Sequence, residues 1–186
     1  MRDTRTKLSG TTVMLHWLIA LAILFNLGYG LYIDDLPRGD AKVWNIGIHK
    51  SIGILILLFA LWRLGWRASQ GLLSPVAVMP LWEAALHRLT VVFLLLAAVV
   101  MPLTGIYYSI EAGRSVAVFG IPVIPQILDR DSVTKEGADF AFTIHRTLAF
   151  LLMGFIALHV LGALKHHVLN GDGTLMRILG RRVEGG

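Results

Sequence analysis

The sequence predicts an all-α fold, an integral membrane four-helix bundle with both termini on the cytoplasmic side. Apolar residues make up 55% of the 186-residue chain, and the mean hydropathy of +0.68 is typical of a membrane protein. Four apolar stretches reach the roughly 20 residues that a membrane-spanning helix needs, and they cover about 12–33, 44–66, 81–108 and 140–168. Little chain lies outside these spans, so we expect residues 1–186 to form a single transmembrane domain.

The distribution of charge predicts the orientation of the bundle. Basic residues concentrate at both termini and beside the link between the second and third spans: Arg2, Arg5, Lys7, Arg63, Arg67, Arg88, Lys165, Arg177, Arg181 and Arg182. Acidic residues dominate the other two links: Asp34, Asp35, Asp40, Glu111, Asp129, Asp131, Glu136 and Asp139. Because positive charge is retained on the cytoplasmic side, both termini are expected in the cytoplasm. The basic flanks also explain the isoelectric point of about 9.9, so the expected partner is lipid and not nucleic acid.

Aromatic and proline residues support the position of each span. Tryptophan and tyrosine favour the membrane interface, and they cluster at the ends of the first three spans: Trp17, Tyr29, Tyr32, Trp44, Trp62, Trp66, Trp82, Tyr107 and Tyr108. The second and third spans are joined by a short turn over 72–80 that contains Pro75 and Pro80. Pro102 lies inside the third span, where we expect a kink whose freed carbonyl is satisfied by neighbouring helices.

The longest link, 109–139, is expected to form a flap over the periplasmic end of the bundle. Its apolar part, 115–128, is too short to cross a membrane. It is also interrupted by Gly120, Pro122 and Pro125. These features predict an interfacial or re-entrant segment.

Four histidines lie inside the apolar spans, where an ionisable side chain is costly and usually functional. On the fourth span, His145 and His159 are 14 residues apart, which is about 21 Å along a helix and nearly in phase around it. Antiparallel threading places His16 of the first span at the depth of His159, near the cytoplasm. It also places His49 of the second span at the depth of His145, near the periplasm. The pattern predicts two facing histidine pairs at two depths.

Two facing imidazoles are the ligand set of a six-coordinate haem, and the core of a four-helix bundle is a usual cofactor site. Zinc is the competing metal, but the pairs are too far apart to share one ion, and each pair lacks the four ligands that zinc prefers. The chain has no cysteine, which excludes iron–sulfur clusters and covalent haem attachment. We therefore expect two non-covalently bound haems. The alternative is that each histidine is an interfacial residue with a hydrated polar tip.

A cation directly follows each histidine of the periplasmic pair: Lys50 follows His49, and Arg146 follows His145. Such cations either bind haem propionates or attract a small anion to this end of the bundle. The alternative is that both side chains extend to lipid headgroups. Because the periplasmic links are acidic, any positive field there must be local.

Polar residues also gather at the cytoplasmic ends of the third and fourth spans. Glu83 and His87 are four residues apart and share a helical face, and His166 lies at the end of the fourth span. An imidazole titrates near neutral pH, which makes these side chains candidates for proton delivery to a substrate reduced there. The alternative is that they are ordinary interfacial residues.

The ordered set of motifs resembles the prokaryotic cytochrome b561 family over nearly the whole chain. The segments that carry the resemblance are Met14–Trp17, His49–Gly53, Leu61–Leu64, Leu86–Arg88, and His145 with His159. The resemblance implies two b-type haems, with axial pairs His16/His159 and His49/His145, in a multi-pass protein of the bacterial inner membrane. It also implies electron exchange with ubiquinone and, as in the superoxide oxidase type of this family, oxidation of superoxide to oxygen at the outer face.

The expected activity is therefore that of a superoxide:quinone oxidoreductase. In this interpretation Lys50 and Arg146 steer superoxide, and the residues that bind quinone or deliver protons are His87, His166, Trp17 and Glu83. One alternative is a haem-bearing anchor subunit that relays electrons between a partner dehydrogenase or hydrogenase and quinone. Another is a transporter or structural membrane protein whose histidines bind no haem.

Overall fold

Among the residues that the structure describes, four helices are long and apolar enough to cross a membrane. The computed structural model describes residues 2–73, 75–76 and 79–183. The long helices are α1 (Gly10–Asp35), α2 (Asp40–Gln70), α3 (Leu81–Glu111) and α4 (Lys135–Val168), and a short α5 (Thr174–Ile178) follows them. The predicted all-α fold with four membrane-length helices is confirmed. Each helix includes the expected span and extends past it at one end or both.

Local residue chemistry explains where the helices begin and end. The Ser9 hydroxyl caps α1 by accepting a hydrogen bond of 3.2 Å from the backbone N–H of Thr12. The Thr134 hydroxyl caps α4 in the same way, accepting 3.1 Å from the N–H of Gly137. Helix α2 ends at Gly71, whose φ of 78° lies in the left-handed region that favours glycine. Helix α3 begins directly after Pro80.

The helices run antiparallel in sequence order, with α1 packed on α2, α2 on α3 and α3 on α4. We call the end of the bundle that carries α5 and the segment before α1 the terminal end, and the opposite end the loop end. The buried core is small and centres on Leu15, Ile19, Ala60 and Ala98. Many large apolar side chains instead face outward, among them Leu21, Phe25, Leu58, Leu151 and Leu161. This distribution is typical of a bundle whose apolar surface is covered by lipid.

The link between α3 and α4 forms a small hairpin at the loop end. Strands β1 (Val116–Val118) and β2 (Ile121–Ile124) pair antiparallel. In the tight turn between them, Phe119 and Gly120 both have positive φ, as a type I′ hairpin turn requires. Ser51 of α2 holds this turn, because its hydroxyl accepts a 2.9 Å hydrogen bond from the Phe119 N–H and donates one of 2.8 Å to the Gly47 carbonyl. The link that was expected to form a flap thus contains a hairpin that docks on α2.

A buried polar network fixes the N-terminal segment to the terminal end of the bundle. Asp3 forms an ion pair with Arg67 of α2, and both side chains are almost fully buried. Arg67 also donates to the Thr12 hydroxyl at 2.7 Å, and the Trp66 indole donates to the same oxygen at 2.8 Å. Burial would raise the pKa of Asp3, but hydrogen bonds from Arg67, Ser9 and Thr12 lower it from 3.8 to about 2. The carboxylate is therefore charged under all ordinary conditions.

We predict that Asp3→Ala destabilises the detergent-solubilised protein, because it leaves the Arg67 guanidinium buried without its counter-ion, a change that typically costs about 3 kcal/mol or more. Thermal unfolding followed by tryptophan fluorescence measures the effect, and Asp131→Ala at an exposed acid is the control. Because folding lowers the pKa of Asp3, the contribution of this carboxylate to the free energy of unfolding is complete above about pH 4. It is lost as the pH falls through 2. Equal melting temperatures for Asp3→Ala and wild type at pH 7 would contradict this account.

Candidate functional site

The structure brings the four membrane histidines together in two opposed pairs. At the loop end, the ring centres of His49 and His145 are 6.3 Å apart. At the terminal end, those of His16 and His159 are 6.2 Å apart. Two imidazole nitrogens that ligate one metal ion from opposite sides, each at about 2 Å, place their ring centres about 6 Å apart. Both pairs have the separation that axial ligation of one iron requires.

The loop-end pair lies at a partly open cavity of about 330 Å³ that is lined by residues of all four long helices. Two glycines make room for the imidazole rings. A Cβ at Gly30 of α1 would lie 3.2 Å from Cε1 of His49, and a Cβ at Gly105 of α3 would lie 3.1 Å from Cε1 of His145. These glycines are needed for close approach and not for a special backbone conformation, because both lie within regular helices.

Thr104 of α3 fixes the tautomer of His145. Its hydroxyl donates to the Met101 carbonyl at 2.7 Å and lies 2.9 Å from Nδ1 of His145. Because its single proton is used on Met101, the hydroxyl accepts from an Nδ1–H, which leaves the Nε2 lone pair of His145 free. This is the arrangement by which proteins orient metal-ligating histidines. The sequence interpretation missed Thr104, because a local motif does not show which faces of two helices pack against each other.

The partner ring, His49, is held through its backbone. The side-chain amide of Asn26 on α1 donates to the His49 carbonyl at 3.3 Å. Within the described part of the chain, Nδ1 of His49 and Oδ1 of Asn26 are buried and have no hydrogen-bond partner. Two unsatisfied polar atoms beside the cavity are a costly feature for an apolar bundle, and such atoms cluster where a protein binds another group.

The environment of the terminal-end pair, His16 and His159, differs from that of the loop-end pair. Nη2 of Arg63 lies 3.3 Å from Nδ1 of His16. A guanidinium can only donate, so Nδ1 accepts and the proton of His16 is on Nε2 in this arrangement. Ligation of iron through Nε2 therefore requires Arg63 to leave this hydrogen bond.

The donor set fits haem better than a metal ion held by protein alone. Among the described residues, no group of three or more histidine, cysteine or acidic side chains could hold a metal ion, whereas zinc sites need three or four protein ligands. Two opposed imidazoles in an apolar bundle are the axial donor set of a low-spin b-type haem. The glycine-lined cavity beside His49 and His145 provides part of the space that such a group requires.

Cations surround the cavity at the loop end. Four line it, namely Lys42, Lys50, Arg114 and Arg146, against one acid, Asp34. Arg146 forms an exposed ion pair of 3.4 Å with Asp34, and Lys50 donates to the Ser115 carbonyl at 3.3 Å. Lys50 and Arg146 were the predicted pair. Arg114, which follows the bend after α3, was missed because only the fold of the hairpin link brings it to the cavity.

A second polar cluster lies at the terminal end. His166 is buried between two acids, with Nδ1 2.6 Å from Asp172 and Nε2 3.3 Å from Glu83. Lys165 pairs with Glu83 at 2.5 Å. Burial would raise the pKa of Asp172, but hydrogen bonds from Thr174 and His166 lower it below its usual value. The predicted residues Glu83 and His166 are thus in contact, with Asp172 as an addition that the sequence interpretation missed.

The two remaining predicted residues lie in different surroundings. His87 is one helical turn after Glu83 on α3. The Trp17 indole donates to the Ile178 carbonyl at 2.9 Å and so ties α1 to α5. This bond gives Trp17 a structural role at the terminal end, and its ring also lies 5.3 Å from that of His16.

The fold and the site together define a class, the membrane cytochromes in which helices of a bundle present opposed histidines within the bilayer. The family model for prokaryotic cytochrome b561 matches residues 7–181. The chain therefore belongs to that family, whose members are membrane electron-transfer proteins that bind haem b.

Individual relatives agree with this assignment. The chain is 32% identical to cytochrome b561 homolog 2 of Escherichia coli (strain K12) over 170 residues, which covers 89% of this chain and 87% of that protein. It is 27% identical over 181 residues to the probable superoxide oxidase CybB of Yersinia pestis, covering 95% and 97% of the two chains. It is 25% identical over 177 residues to cytochrome b561 homolog 1 of Escherichia coli (strain K12), covering 95% and 98%.

We predict that Gly30→Ala and Gly105→Ala each lower the amount of haem b that the purified protein retains. The added methyl groups press on the rings of His49 and His145, and overpacking of about 1–3 kcal/mol weakens binding by roughly 5- to 150-fold. Haem per chain from a pyridine haemochrome spectrum measures the effect. Gly28→Ala is the matched control on α1, because nothing lies within 4 Å of its Cβ position. Equal haem content in Gly28→Ala and Gly30→Ala would contradict the role assigned to the glycine.

Proposed function

We propose that this protein is a di-haem superoxide:quinone oxidoreductase of the bacterial inner membrane, with both termini in the cytoplasm. The observation that carries the proposal is the loop-end cavity, where an opposed histidine pair and four cations share one site. The similarity to a protein named probable superoxide oxidase supports the same activity. The residues that hold the two haems are His49 with His145, and His16 with His159.

The proposed reaction balances in electrons and protons. Two superoxide anions give up one electron each and leave as two molecules of oxygen. One ubiquinone takes these two electrons together with two protons and leaves as ubiquinol. Haem b bound at the histidine pairs supplies reversible one-electron chemistry. The protein's own residues attract the anion, orient the ligands, and deliver protons.

The cavity cations favour an anionic substrate at the loop end. Lys50 and Arg114 form no ion pair with any described residue, so their charge is not compensated locally. The apolar helices around them provide a low-dielectric wall, which strengthens the field of such charges. Superoxide is a small anion, and a local positive field concentrates it although the neighbouring links carry acids.

At the terminal end, the cluster around His166 is suited to moving protons. The buried imidazole bridges Asp172 and Glu83, so it can take a proton from one side and pass it to the other. Helix α3 carries Glu83 at its start and His87 one turn further into the bundle. We place the quinone at this end, with protons drawn from the cytoplasm.

One observation favours a second candidate function, an anchor subunit for a partner dehydrogenase or hydrogenase. The loop-end hairpin exposes a row of apolar side chains, among them Phe119 at 63% and Ile121 at 69% exposure. An exposed apolar patch at a membrane surface fits a docking surface for another protein. The two functions differ in one measurable respect, because only the oxidoreductase accepts electrons from superoxide without a partner.

We predict that Lys50→Gln and Arg114→Gln each slow haem reduction by superoxide about threefold at low salt, because steering by a charged cleft accounts for roughly 10-fold or more of such rates. Stopped-flow absorbance of the haem bands during a superoxide pulse measures the rate, and raising the ionic strength should reduce the difference. Lys135→Gln removes the same charge at the same end but outside the cavity lining, and it is the control. A wild-type rate that does not depend on salt would refute steering.

We predict that Glu83→Gln and His166→Gln each slow reoxidation of the reduced haems by ubiquinone by about tenfold or more, because general acid–base groups typically contribute about 10²- to 10⁴-fold. Reduction by superoxide should be unchanged, since these residues lie at the other end. Stopped-flow mixing of the reduced protein with a short-chain ubiquinone separates the two half-reactions. His167→Gln, at the neighbouring residue, is the control. Slower reduction by superoxide in these variants would argue against the assigned separation of the two ends.

A further inference from the structure

Thr90 of α3 is a buried polar residue whose role is not explained by packing. The residue is only 4% exposed. Its Oγ1 is buried and has no hydrogen-bond partner among the residues that the structure describes. Leaving a buried hydroxyl unsatisfied costs about 1–3 kcal/mol, and valine would fill the same volume without that cost. We therefore expect this hydroxyl to form a hydrogen bond in the functional protein.

The register between α3 and α4 indicates which group that partner is. Thr104 of α3 contacts His145 of α4 at 2.9 Å. Thr90 precedes Thr104 by 14 residues, and His159 follows His145 by the same 14 residues. Because the two helices pack antiparallel, the same displacement along both of them brings Thr90 level with His159. A step of 14 residues also returns to nearly the same helical face.

Two observed contacts bracket this position and show that the register is maintained. Towards the middle of the bundle, the rings of Phe93 on α3 and Phe155 on α4 stack with their centres 3.9 Å apart. Towards the terminal end, Glu83 of α3 lies 3.3 Å from His166 of α4. Thr90 lies between Phe93 and Glu83 on α3, and His159 lies between Phe155 and His166 on α4. The register therefore places the two residues at the same level of the α3–α4 interface.

We propose that Thr90 accepts a hydrogen bond from Nδ1–H of His159 and so positions this ligand as Thr104 positions His145. A helical threonine has two favoured rotamers, and in one of them its hydroxyl donates to a carbonyl of the preceding turn. Thr90 makes no such bond in this structure, so the proposal requires its side chain to rotate: Oγ1 then donates to that carbonyl and accepts from His159, which is the arrangement assigned to Thr104. Helix α3 supplies none of the four histidines, yet it supplies one threonine to each pair.

The consequence for the bound group is electronic as well as geometric. A hydrogen bond from Nδ1–H of a ligating histidine fixes Nε2 as the ligand atom and increases its basicity. A more basic axial ligand favours the oxidised iron, so each threonine lowers the reduction potential of the haem on its own side. This inference rests on the proposed assignment of His159 and His145 as haem ligands.

The test is a redox titration of the full-length protein in detergent, followed by haem absorbance and by electron paramagnetic resonance of the low-spin ferric signals. Thr90→Val and Thr104→Val are isosteric, and each is expected to raise the potential of one haem and to leave the other unchanged. The two variants should move different haems. Thr90→Ser should restore the wild-type potential, because it returns the hydroxyl. Thr147→Val, at an exposed threonine of α4, is the control and should move neither haem.

The outcomes separate this inference from the proposed function. A wild-type protein with two low-spin haems whose potentials are both unchanged in Thr90→Val would overturn the role of Thr90 alone. A shift that Thr90→Ser fails to reverse, or one equal at both haems, would also overturn it. A wild-type protein with fewer than two haems would instead overturn the di-haem proposal. Loss of one haem in Thr90→Val, with recovery in Thr90→Ser, would support the inference in the same way as a shifted potential.

Discussion

The cost of placing an imidazole in an apolar bundle is the constraint on which the rest of this structure depends. Four histidines lie within helices that otherwise face lipid, and a polar group without a partner in such surroundings is unfavourable. The bundle meets this constraint by opposing the rings in pairs and by placing polar groups behind them. Thr104 contacts the ring of His145 and Arg63 that of His16, whereas Asn26 bonds only the backbone carbonyl of His49. The small core and the glycines then follow, because rings and helices must approach closely.

In the proposed function, the two ends of the bundle carry out different chemical steps. The loop end combines uncompensated cations with a docked hairpin, which suits an anion arriving from water. The terminal end combines a buried imidazole with two carboxylates and a tethered N-terminal segment, which suits proton exchange. Helix α4 connects the two regions, since it carries His145 near one and His159 and His166 near the other.

The sequence was sufficient to predict which histidines pair, because this pairing depends only on the depth of each residue in the membrane. Hydropathy and helical rise placed His16 with His159 and His49 with His145, because antiparallel spans leave little freedom along the membrane normal. The side chains behind the rings could not be predicted, because they depend on how neighbouring helices are rotated about their axes. Thr104 and Arg63 are examples, since nothing near either residue in the sequence signals a contact with a histidine. The positions of Arg114 and Asp172 are set by the folding of the segments that link the helices. Helical periodicity in the sequence does not predict the course of such segments.

The position of two histidines on one continuous helix has an evolutionary consequence. Their separation of 14 residues corresponds to about 21 Å and nearly four whole turns. The length of α4 between them therefore fixes the distance between the two histidine pairs. Inserting one residue between them would rotate one imidazole by about 100° away from its partner. Insertions and deletions should therefore accumulate in the links at either end of the bundle, whereas the length of α4 between its histidines should be invariant among working members of the lineage.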